Sequence, residues 1–284
     1  MNIKYIKANL GFGLLRLCAL IVGVIIFAIL YDIASKGVGK ITWEFLFSMP
    51  KNGMTEGGIF PAIIGTIFVT AITALLAIPL GMGCAIYLNE YANDNIITRL
   101  IRMSIRNLSG VPSIVYGLFG VVLFVQAMRL GTSVISSGFT LGLMTLPWTV
   151  TASEEALKNV PNSYRQGALA LGATKWQAIR TNVLPYAVGG MLTGTILGLA
   201  RAAGETAPIL FTGVAFYLPF LPKSLSSQFM ALPYHLYIMS TQHHSINQVR
   251  PIAYGTALVL VVLVFVMNLF AVILRYRLRK FKRD

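Results

Sequence analysis

Six long apolar segments constrain this chain more than any other feature of its sequence. They cover residues 17–31, 61–88, 111–128, 138–153, 186–214 and 251–274. A helix needs about 20 largely apolar residues to cross a bilayer, and most of the segments reach or approach that length. Only 11% of the 284 residues are charged, against about a quarter in soluble domains. The sequence therefore predicts an all-α polytopic membrane protein, a single transmembrane domain over residues 1–284 with six spanning helices.

The segments 17–31 and 138–153 are the ones that allow another interpretation. The first follows basic residues, as a signal peptide does, but no small-residue cleavage site comes after it, so we interpret it as a spanning helix. The other is short and contains Pro147. Proline removes a helix hydrogen bond, yet neighbouring helices can satisfy the freed backbone groups within a membrane. We therefore retain both segments as spans.

The basic residues are distributed unevenly between the two sides of the predicted membrane. Most of the 23 Lys and Arg residues precede the first segment, lie in the connections 89–110 and 154–185, or follow the last segment. Because short cytoplasmic loops carry the excess of positive charge, both termini are predicted to be cytoplasmic. The connections 32–60 and 216–250 then lie outside. No basic patch is interleaved with aromatic residues, so the net charge of +14 does not indicate nucleic-acid binding.

Two ionisable residues, Arg201 and Glu205, fall inside the segment 186–214. Charges within a spanning helix are costly and usually face a bundle interior or a water-filled pathway. Residues four apart share one helix face, so these two can pair. The simpler alternative is a mutually neutralising pair that only fixes packing. The functional interpretation is an intramembrane site for an ion.

A stripe of small residues in the same segment favours the functional interpretation. It consists of Gly190, Gly194, Gly198 and Ala202. Such a stripe suits close contact between helices. At about 100° per residue, Arg201 lies on the same face as the stripe. Since a guanidinium in a narrow, hydrated seam can bind an oxyanion through two nitrogens, the sequence predicts an anion pathway.

The cytoplasmic connection 154–185 is predicted to be a docking surface. Pro161 separates two helical stretches, and the second stretch, residues 163–171, ends at Gly172. A compact apolar surface favours contact with another protein over solvent exposure. The residues expected on this surface are Ala168, Leu169, Ala170 and Leu171, with Arg165 and Lys175 at its edges.

Several kinds of chemistry are not expected. The chain has no phosphate-binding loop that ends in Gly-Lys-Ser or Gly-Lys-Thr, so it does not hydrolyse ATP alone. Metalloprotease and serine-hydrolase motifs are also missing, which makes an intramembrane enzyme or a membrane scaffold the less favoured alternative. We interpret His243 and His244 as part of a solvated loop and not as metal ligands, because adjacent residues do not share a helix face. Cys18 and Cys84 lie in apolar runs, where packing is their ordinary role. No catalytic residue, cofactor or metal site is predicted.

The connection 154–185 resembles the cytoplasmic signature of permease subunits of ABC importers. That signature has Glu-Ala-Ala, three residues, Gly, and a spacer that leads to Leu-Pro. The matching residues are Gln166, Gly167, Ala168, Gly172, Leu184 and Pro185, with Gln and Gly in place of the first Glu and Ala. The resemblance implies an ABC importer permease (type I) fold. It also implies a coupling helix that docks to a separate ATPase through Gln166, Gly167, Ala168, Leu171 and Gly172.

Two further stretches are similar to phosphate-specific permeases of the PstA type. They are LSGVPSIVYGLFG at residues 108–120 and ARAAGETAPILFTG at residues 200–213. In that family an arginine in the equivalent segment is implicated in phosphate passage. By this resemblance Arg201, Glu205 and Thr206 are assigned to the substrate pathway.

The resemblance implies that the chain is one permease subunit of an ATP-driven inorganic phosphate importer in a prokaryotic plasma membrane. The implied partners are a homologous PstC-type permease, a PstB-type ATPase dimer that binds ATP and Mg²⁺, an external PstS-type phosphate-binding protein and the lipid bilayer. The chain would form half of the translocation pathway and would not be an enzyme itself. A permease for molybdate, tungstate or sulfate is the alternative within the same class.

Overall fold

The computed structural model describes residues 3–280 of the chain. Lys282 and Arg283, two of the basic residues that we assign to the cytoplasmic C-terminus, lie outside the described residues. The described chain is mostly helical. In chain order its α-helices are α1 (Ile3–Gly37), α2 (Trp43–Phe47), α3 (Phe60–Ile86), α4 (Ile96–Leu108), α5 (Ser113–Gly120), α6 (Val134–Lys158), α7 (Asn162–Ala170), α8 (Lys175–Ala178), α9 (Leu184–Ala203), α10 (Ala207–Leu210), α11 (Leu232–Thr241) and α12 (Ile246–Lys280).

Shorter elements extend or join these helices. π-Helical turns continue α3 through Tyr87–Tyr91 and α5 through Val121–Ala127, and a third, Ile179–Val183, links α8 to α9. Two 3₁₀ turns, Val38–Lys40 and Asn52–Met54, lie between α1 and α3. In the same connection β1 (Pro50–Lys51) and β2 (Glu56–Gly57) pair antiparallel, with Pro50 opposite Gly57 and Lys51 opposite Glu56.

Within residues 3–280, four helical stretches are long and apolar enough to cross a membrane. They are Gly11–Lys40, Phe60–Tyr91, Lys175–Ala203 and Ile246–Ile273. The pair Ile96–Leu108 and Ser113–Ala127, which is bent by 104°, makes a fifth if it counts as one span. The predicted span 138–153 lies inside α6, which is less apolar because Ser and Thr are frequent in it. The crossing of the membrane by α6, the total of six spans and the side of the termini therefore stay predictions.

Helix α6 occupies the centre of the bundle, where it packs against α3, α5 and α9. The close approach of α3 depends on glycine. A Cβ atom at Gly142 would lie 2.7 Å from the side chain of Leu76, and one at Gly81 would lie 2.6 Å from the side chain of Thr149. By contrast, α1 packs mainly against α12, and its side chains from Gly11 to Tyr31 are exposed. The stretch from Leu17 to Tyr31 is exposed and carries no charged residue, which fits contact with lipid.

The predicted span 186–214 does not form one helix. Its helical part starts as early as Lys175 and ends at Ala203. Gly204 follows the last residue of α9, and Pro208 lies in the first turn of α10, where its missing N–H is tolerated, so these two residues mark the end of one helix and the start of the next. The chain instead forms α10 and then reaches the start of α6, where the N–H of Ser133 donates to the carbonyl of Thr212 over 2.9 Å. The helix is thus displaced towards the N-terminus relative to the prediction.

The two ends of the bundle differ in what they carry. We call the end with α4, α7 and α8 the inner end, and the end with residues 38–59 and 211–245 the outer end. Around α2 and α11 the outer end has its own apolar core, to which Phe45, Met230 and Met239 contribute. The inner end has another core around Leu88 and Leu157. The region between the two ends carries the candidate site.

Candidate functional site

The small-residue stripe of α9 lies against α6. A Cβ atom at Gly190 would lie 2.8 Å from the Cβ atom of Ala156. A Cβ atom at Gly194 would lie even closer to the Cβ atom of Ala152. Gly198 lies against Thr145 and Trp148. The two helices therefore run antiparallel at a separation that any larger side chain on the stripe would increase.

Arg201 lies in the last turn of α9, at the edge of this helix contact and not within it. Its side chain is 52% exposed. The guanidinium carbon lies 5.3 Å from the centre of the Trp148 ring on α6, a cation–π distance. The arginine therefore lies at the exposed border of the helix contact, beyond the closely packed glycines. The sequence reasoning gave no role to Trp148.

Glu205 follows the end of α9 and partly neutralises this arginine. Its Oε1 atom lies 3.4 Å from Nε of Arg201, and its side chain is 18% exposed. Among the described residues, the two terminal nitrogens of Arg201 have no protein acceptor. Thr206, the next residue, begins α10 and is half-buried. The arrangement leaves the terminal fork of the guanidinium open for an oxyanion while Nε stays on Glu205.

The Arg201 site lies near the middle of α6. At 1.5 Å per residue, Trp148 is about 21 Å from the outer start of α6 and about 15 Å from its inner end. In residues 134–154 of this helix, Trp148 is the one exposed side chain. The exposed residues of α9 form a matching stripe that consists of Tyr186, Gly190, Leu197, Arg201 and Gly204. The arginine thus lies on a face that the rest of the chain leaves uncovered, at mid-depth in the bundle.

At the inner end, α7 presents the predicted docking surface with two differences. Leu171 is 90% exposed, and Leu169 and Ala170 are exposed as well. Gly172 adopts a positive φ of 84°, which L side chains rarely adopt, and this ends the helical stretch as predicted. Ala168, however, is buried and packs inward. The first difference is therefore that Ala168 packs against the bundle, so that the exposed patch consists of Leu169, Ala170 and Leu171.

The second difference is Arg165, which is not at the edge of the patch but inside the inner end. Its Nη2 and Nε atoms donate to the carboxylate of Glu90 at 2.7 and 3.1 Å. Nη1 donates to the carbonyl of Val160 at 2.8 Å, and Nη2 also donates to that of Leu157 at 2.9 Å. We call this group the Arg165 clamp. It joins α7 to the end of α3 and to the end of α6.

A second buried ion pair lies beside the clamp. Nε of Arg102 on α4 is 2.6 Å from Oε1 of Glu154 on α6. Nη2 of Arg102 donates to the carbonyl of Leu88 at 2.7 Å. Arg102 thus connects α4 both to α6 and to the π-helical turn that continues α3. Sequence reasoning missed both pairs, since Arg165 and Glu90 are 75 positions apart and no periodicity links them.

The histidines of the outer end are structural. His243 is buried, which corrects the prediction of a solvated loop side chain. Its Nδ1 accepts the N–H of Ser245 at 3.1 Å, so Nε2 carries the hydrogen and donates to the carbonyl of Gly53 at 3.0 Å. Burial, with a smaller contribution from His243, lowers the pKa of His235 to about 4. Within residues 3–280, no group of three or more His, Cys, Asp or Glu side chains could hold a metal ion.

Comparisons with known proteins identify a family and several relatives. A family model described as "Binding-protein-dependent transport system inner membrane component" matches residues 77–280. The probable ABC transporter permease protein YqgI of Bacillus subtilis is 33% identical over 95% of both chains. The probable phosphate transport system permease protein PstA of Methanocaldococcus jannaschii is 32% identical over 92% of this chain and 91% of its own. Phosphate transport system permease protein PstA 1 of Mycobacterium tuberculosis H37Rv is 34% identical over 78% of this chain and 70% of its own.

Solved structures share the fold at low sequence identity. A chain of a bacterial alginate ABC transporter, in complex with an alginate pentasaccharide-bound periplasmic protein, superposes with a TM-score of 0.68. It is 15% identical, and the match covers 98% of both chains. A chain of the MetNI methionine ABC transporter in an inward-facing conformation gives a TM-score of 0.61 at 16% identity, over 76% of this chain and 94% of its own. At such identities the likeness concerns the fold alone.

Proposed function

The chain belongs to the family of binding-protein-dependent transport system inner membrane components, and we propose that it is a permease subunit of an ATP-driven importer of inorganic phosphate. Membership makes it a membrane permease of an ABC importer, in which ATP hydrolysis belongs to a separate subunit. The substrate rests on two supports. Several relatives are named PstA phosphate permeases, and Arg201 offers an open guanidinium fork at mid-depth.

The observation that carries the proposal is that the charged side chain of Arg201 is exposed and only partly paired. Its charge is only partly compensated by Glu205, its guanidinium lies 5.3 Å from the centre of the Trp148 ring, and its terminal nitrogens have no acceptor among the described residues. A planar fork matches two oxygens of a phosphate or a related tetrahedral oxyanion. Because the side chain is exposed and a carboxylate competes for it, binding there is weak enough for the anion to leave again, as conduction requires.

The uncovered face of α6 and α9 forms half of the proposed pathway. Its exposed stripe of Tyr186, Gly190, Leu197 and Gly204 leads along α9 to Arg201. A homologous permease of the PstC type would cover this face and supply the other wall. An external phosphate-binding protein of the PstS type would deliver the substrate at the outer end.

The chain couples to the ATPase subunits at the inner end. Leu169, Ala170 and Leu171 form the surface that docks to a PstB-type ATPase dimer, which binds ATP and Mg²⁺. Gln166, Gly167 and Gly172 are exposed beside this surface. ATP-driven closure of the dimer would move α7 and change the access of Arg201 from the outer to the inner side. The ATPase thereby biases a two-state bundle.

The test of the substrate site is Arg201→Lys, with uptake of labelled phosphate measured in cells or proteoliposomes that contain the assembled complex. The lysine keeps the charge but loses the fork, so uptake should fall while the amount of complex is unchanged. Arg250→Lys, an exposed arginine at the outer end, is the matched control. Wild-type uptake by the Arg201 variant would contradict the anion site. If molybdate or sulfate competes for uptake more strongly than unlabelled phosphate does, the proposed substrate is refuted but the permease assignment is not.

The docking surface is tested separately. Leu171→Glu places a charge on a side chain that contributes little to the fold, and Leu225→Glu does the same at the outer end. Only the first should prevent co-purification with the ATPase. Gly172→Arg should act in the same way, with added backbone strain from the positive φ. Normal ATPase stimulation by the substrate-loaded binding protein in the Leu171 and Gly172 variants would contradict the coupling role.

A further inference from the structure

Helix α4 exposes an apolar face that no other element of residues 3–280 covers. On this face the exposed fractions are 83% for Ile96, 69% for Ile97, 55% for Leu100, 42% for Ile101, 48% for Met103 and 44% for Leu108. At about 100° per residue these residues occupy one arc of the helix. Ser104 and Asn107 interrupt the arc only near its C-terminal end. So large a continuous apolar surface is not left to water.

The rotation of α4 is fixed by its opposite face. Thr98 is buried, and Ile105 packs into the inner-end core around Leu88 and Leu157. The ion pair between Arg102 and Glu154 holds the same face against α6. The apolar arc therefore cannot turn inward and points away from the bundle.

The direction of α4 is fixed by its neighbours in the chain. It meets the helix that begins at Ser113 at an angle of 104°. The connections 92–95 and 109–112 are short, and they attach it to the inner end of α3 and to α5. If α3 and α5 cross the membrane, α4 has to lie at the inner surface and nearly in its plane.

We propose that α4 lies in the inner membrane surface as an interfacial amphipathic helix and binds anionic lipid headgroups through Arg99 and Arg106. These two arginines are exposed, are seven positions apart and flank the apolar arc on one side. An amphipathic helix of this composition buries its apolar face at the boundary of headgroups and acyl chains. Its basic border then lies among the phosphates, where charge complementarity selects anionic lipids. The proposal does not depend on which solute the permease carries.

The experiment measures contact between α4 and lipid in the complete complex, reconstituted in nanodiscs. Cys18 and Cys84 are replaced by Ala, and a bimane fluorophore is attached at Leu100→Cys. The nanodiscs contain phosphatidylcholine or phosphatidylglycerol with brominated acyl chains, which quench bimane on contact. A label at Leu225→Cys, an exposed position in the outer connection that takes no part in the proposed docking surface, is the matched control for a position away from lipid.

The expected result is quenching at position 100 and none at position 225. Brominated phosphatidylglycerol should compete for this position better than phosphatidylcholine, by up to about fivefold for each arginine at low salt. Arg99→Gln/Arg106→Gln should abolish the preference, and high salt should reduce it. The control variant Arg250→Gln should retain it.

Two outcomes would overturn the proposal. Absence of quenching at position 100 by either lipid would mean that a protein partner or water covers the apolar arc. Equal quenching by the two lipids, unchanged in the double arginine variant, would refute the binding of anionic headgroups by Arg99 and Arg106. Neither outcome bears on Arg201 or phosphate uptake.

Discussion

Arg165→Gln should detach α7 from the inner end of the bundle, and with it the coupling of ATP hydrolysis to transport. The guanidinium is bonded to both oxygens of Glu90 and to the carbonyls of Leu157 and Val160. Glutamine is shorter and has only one NH₂ group, so it cannot replace these four hydrogen bonds. The variant leaves the carboxylate of Glu90 buried, with only Asn89 as a remaining partner.

The cost follows from the burial of this pair. The side chains are 20% exposed for Arg165 and 5% for Glu90. Removal of one partner of a buried, hydrogen-bonded ion pair destabilises a protein by about 3–5 kcal/mol. Because Arg165 is partly hydrated, we expect about 3 kcal/mol for Arg165→Gln. Arg165→Lys keeps a charge near Glu90 but loses the carbonyl bonds, so about 2 kcal/mol is expected.

A double-mutant cycle with Glu90→Gln separates the pair from the loss of each side chain. The double variant buries no unpaired charge, so its cost should be smaller than the sum of the single costs by about 2 kcal/mol. Thermal unfolding of the purified complex measures stability, and stimulation of ATPase activity by the loaded binding protein measures coupling. Arg99→Gln is the control, since its contact with Asp94 is 3.9 Å long and largely exposed. That change should cost about 0.5 kcal/mol or less.

The outcome that would refute this reasoning is additivity. If the costs of the single variants of Arg165 and Glu90 simply add, the pair contributes nothing beyond its separate side chains. If stability falls as expected but ATPase stimulation is unchanged, the clamp is structural and has no part in coupling. Both results can be obtained from the same set of purified complexes.

Three further predictions concern other parts of the molecule. Trp148→Leu removes the ring beneath Arg201 and should raise the KM for uptake about threefold to tenfold, whereas Trp148→Phe should restore most of the affinity. Gly194→Leu should separate α9 from Ala152 on α6 and lower the yield of folded complex, because overpacking costs about 1–3 kcal/mol or more. The folded-state pKa of His235 is about 4, below the usual histidine pKa of 6.5. The stability associated with this residue is therefore complete above pH 6.5 and is lost as the pH falls towards 4, by about 3 kcal/mol. The melting temperature of the wild type should fall over this pH range more steeply than that of His235→Gln.

The apolar segments made the helical fold predictable, because their periodicity and length are local properties of the sequence. The break after α9 was also visible in principle, since Gly204 is a helix stop signal and Pro208 favours the first turn of a new helix. The uniform apolar character of residues 186–214 concealed it, because hydrophobicity indicates the solvent of a segment and not where its helix ends.

The site was less predictable because its contacts are between distant positions. The helical angle predicts that Arg201 lies on the face of the glycines, but the sequence does not show that its side chain lies at the exposed border of the helix contact. Trp148 carried no signal, because an aromatic residue in an apolar segment is ordinary. The sequence predicted that Arg165 lies at the edge of a surface patch. It gave no indication that Glu90, which is far away in the chain, is the partner of Arg165.

Helix α6 connects the two parts of the candidate site. Leu157, near its inner end, accepts a hydrogen bond from the Arg165 clamp, and Trp148, nine residues earlier, lies against Arg201. These positions are about 14 Å apart along one uninterrupted helix. A displacement of α7 therefore has to be absorbed within the clamp or passed along α6 to the ring that contacts Arg201. Because α6 is packed closely on both α3 and α9, we infer that it moves as a rigid rod. The same two contacts that fix the docking helix and the arginine would then make the access of Arg201 depend on the position of α7.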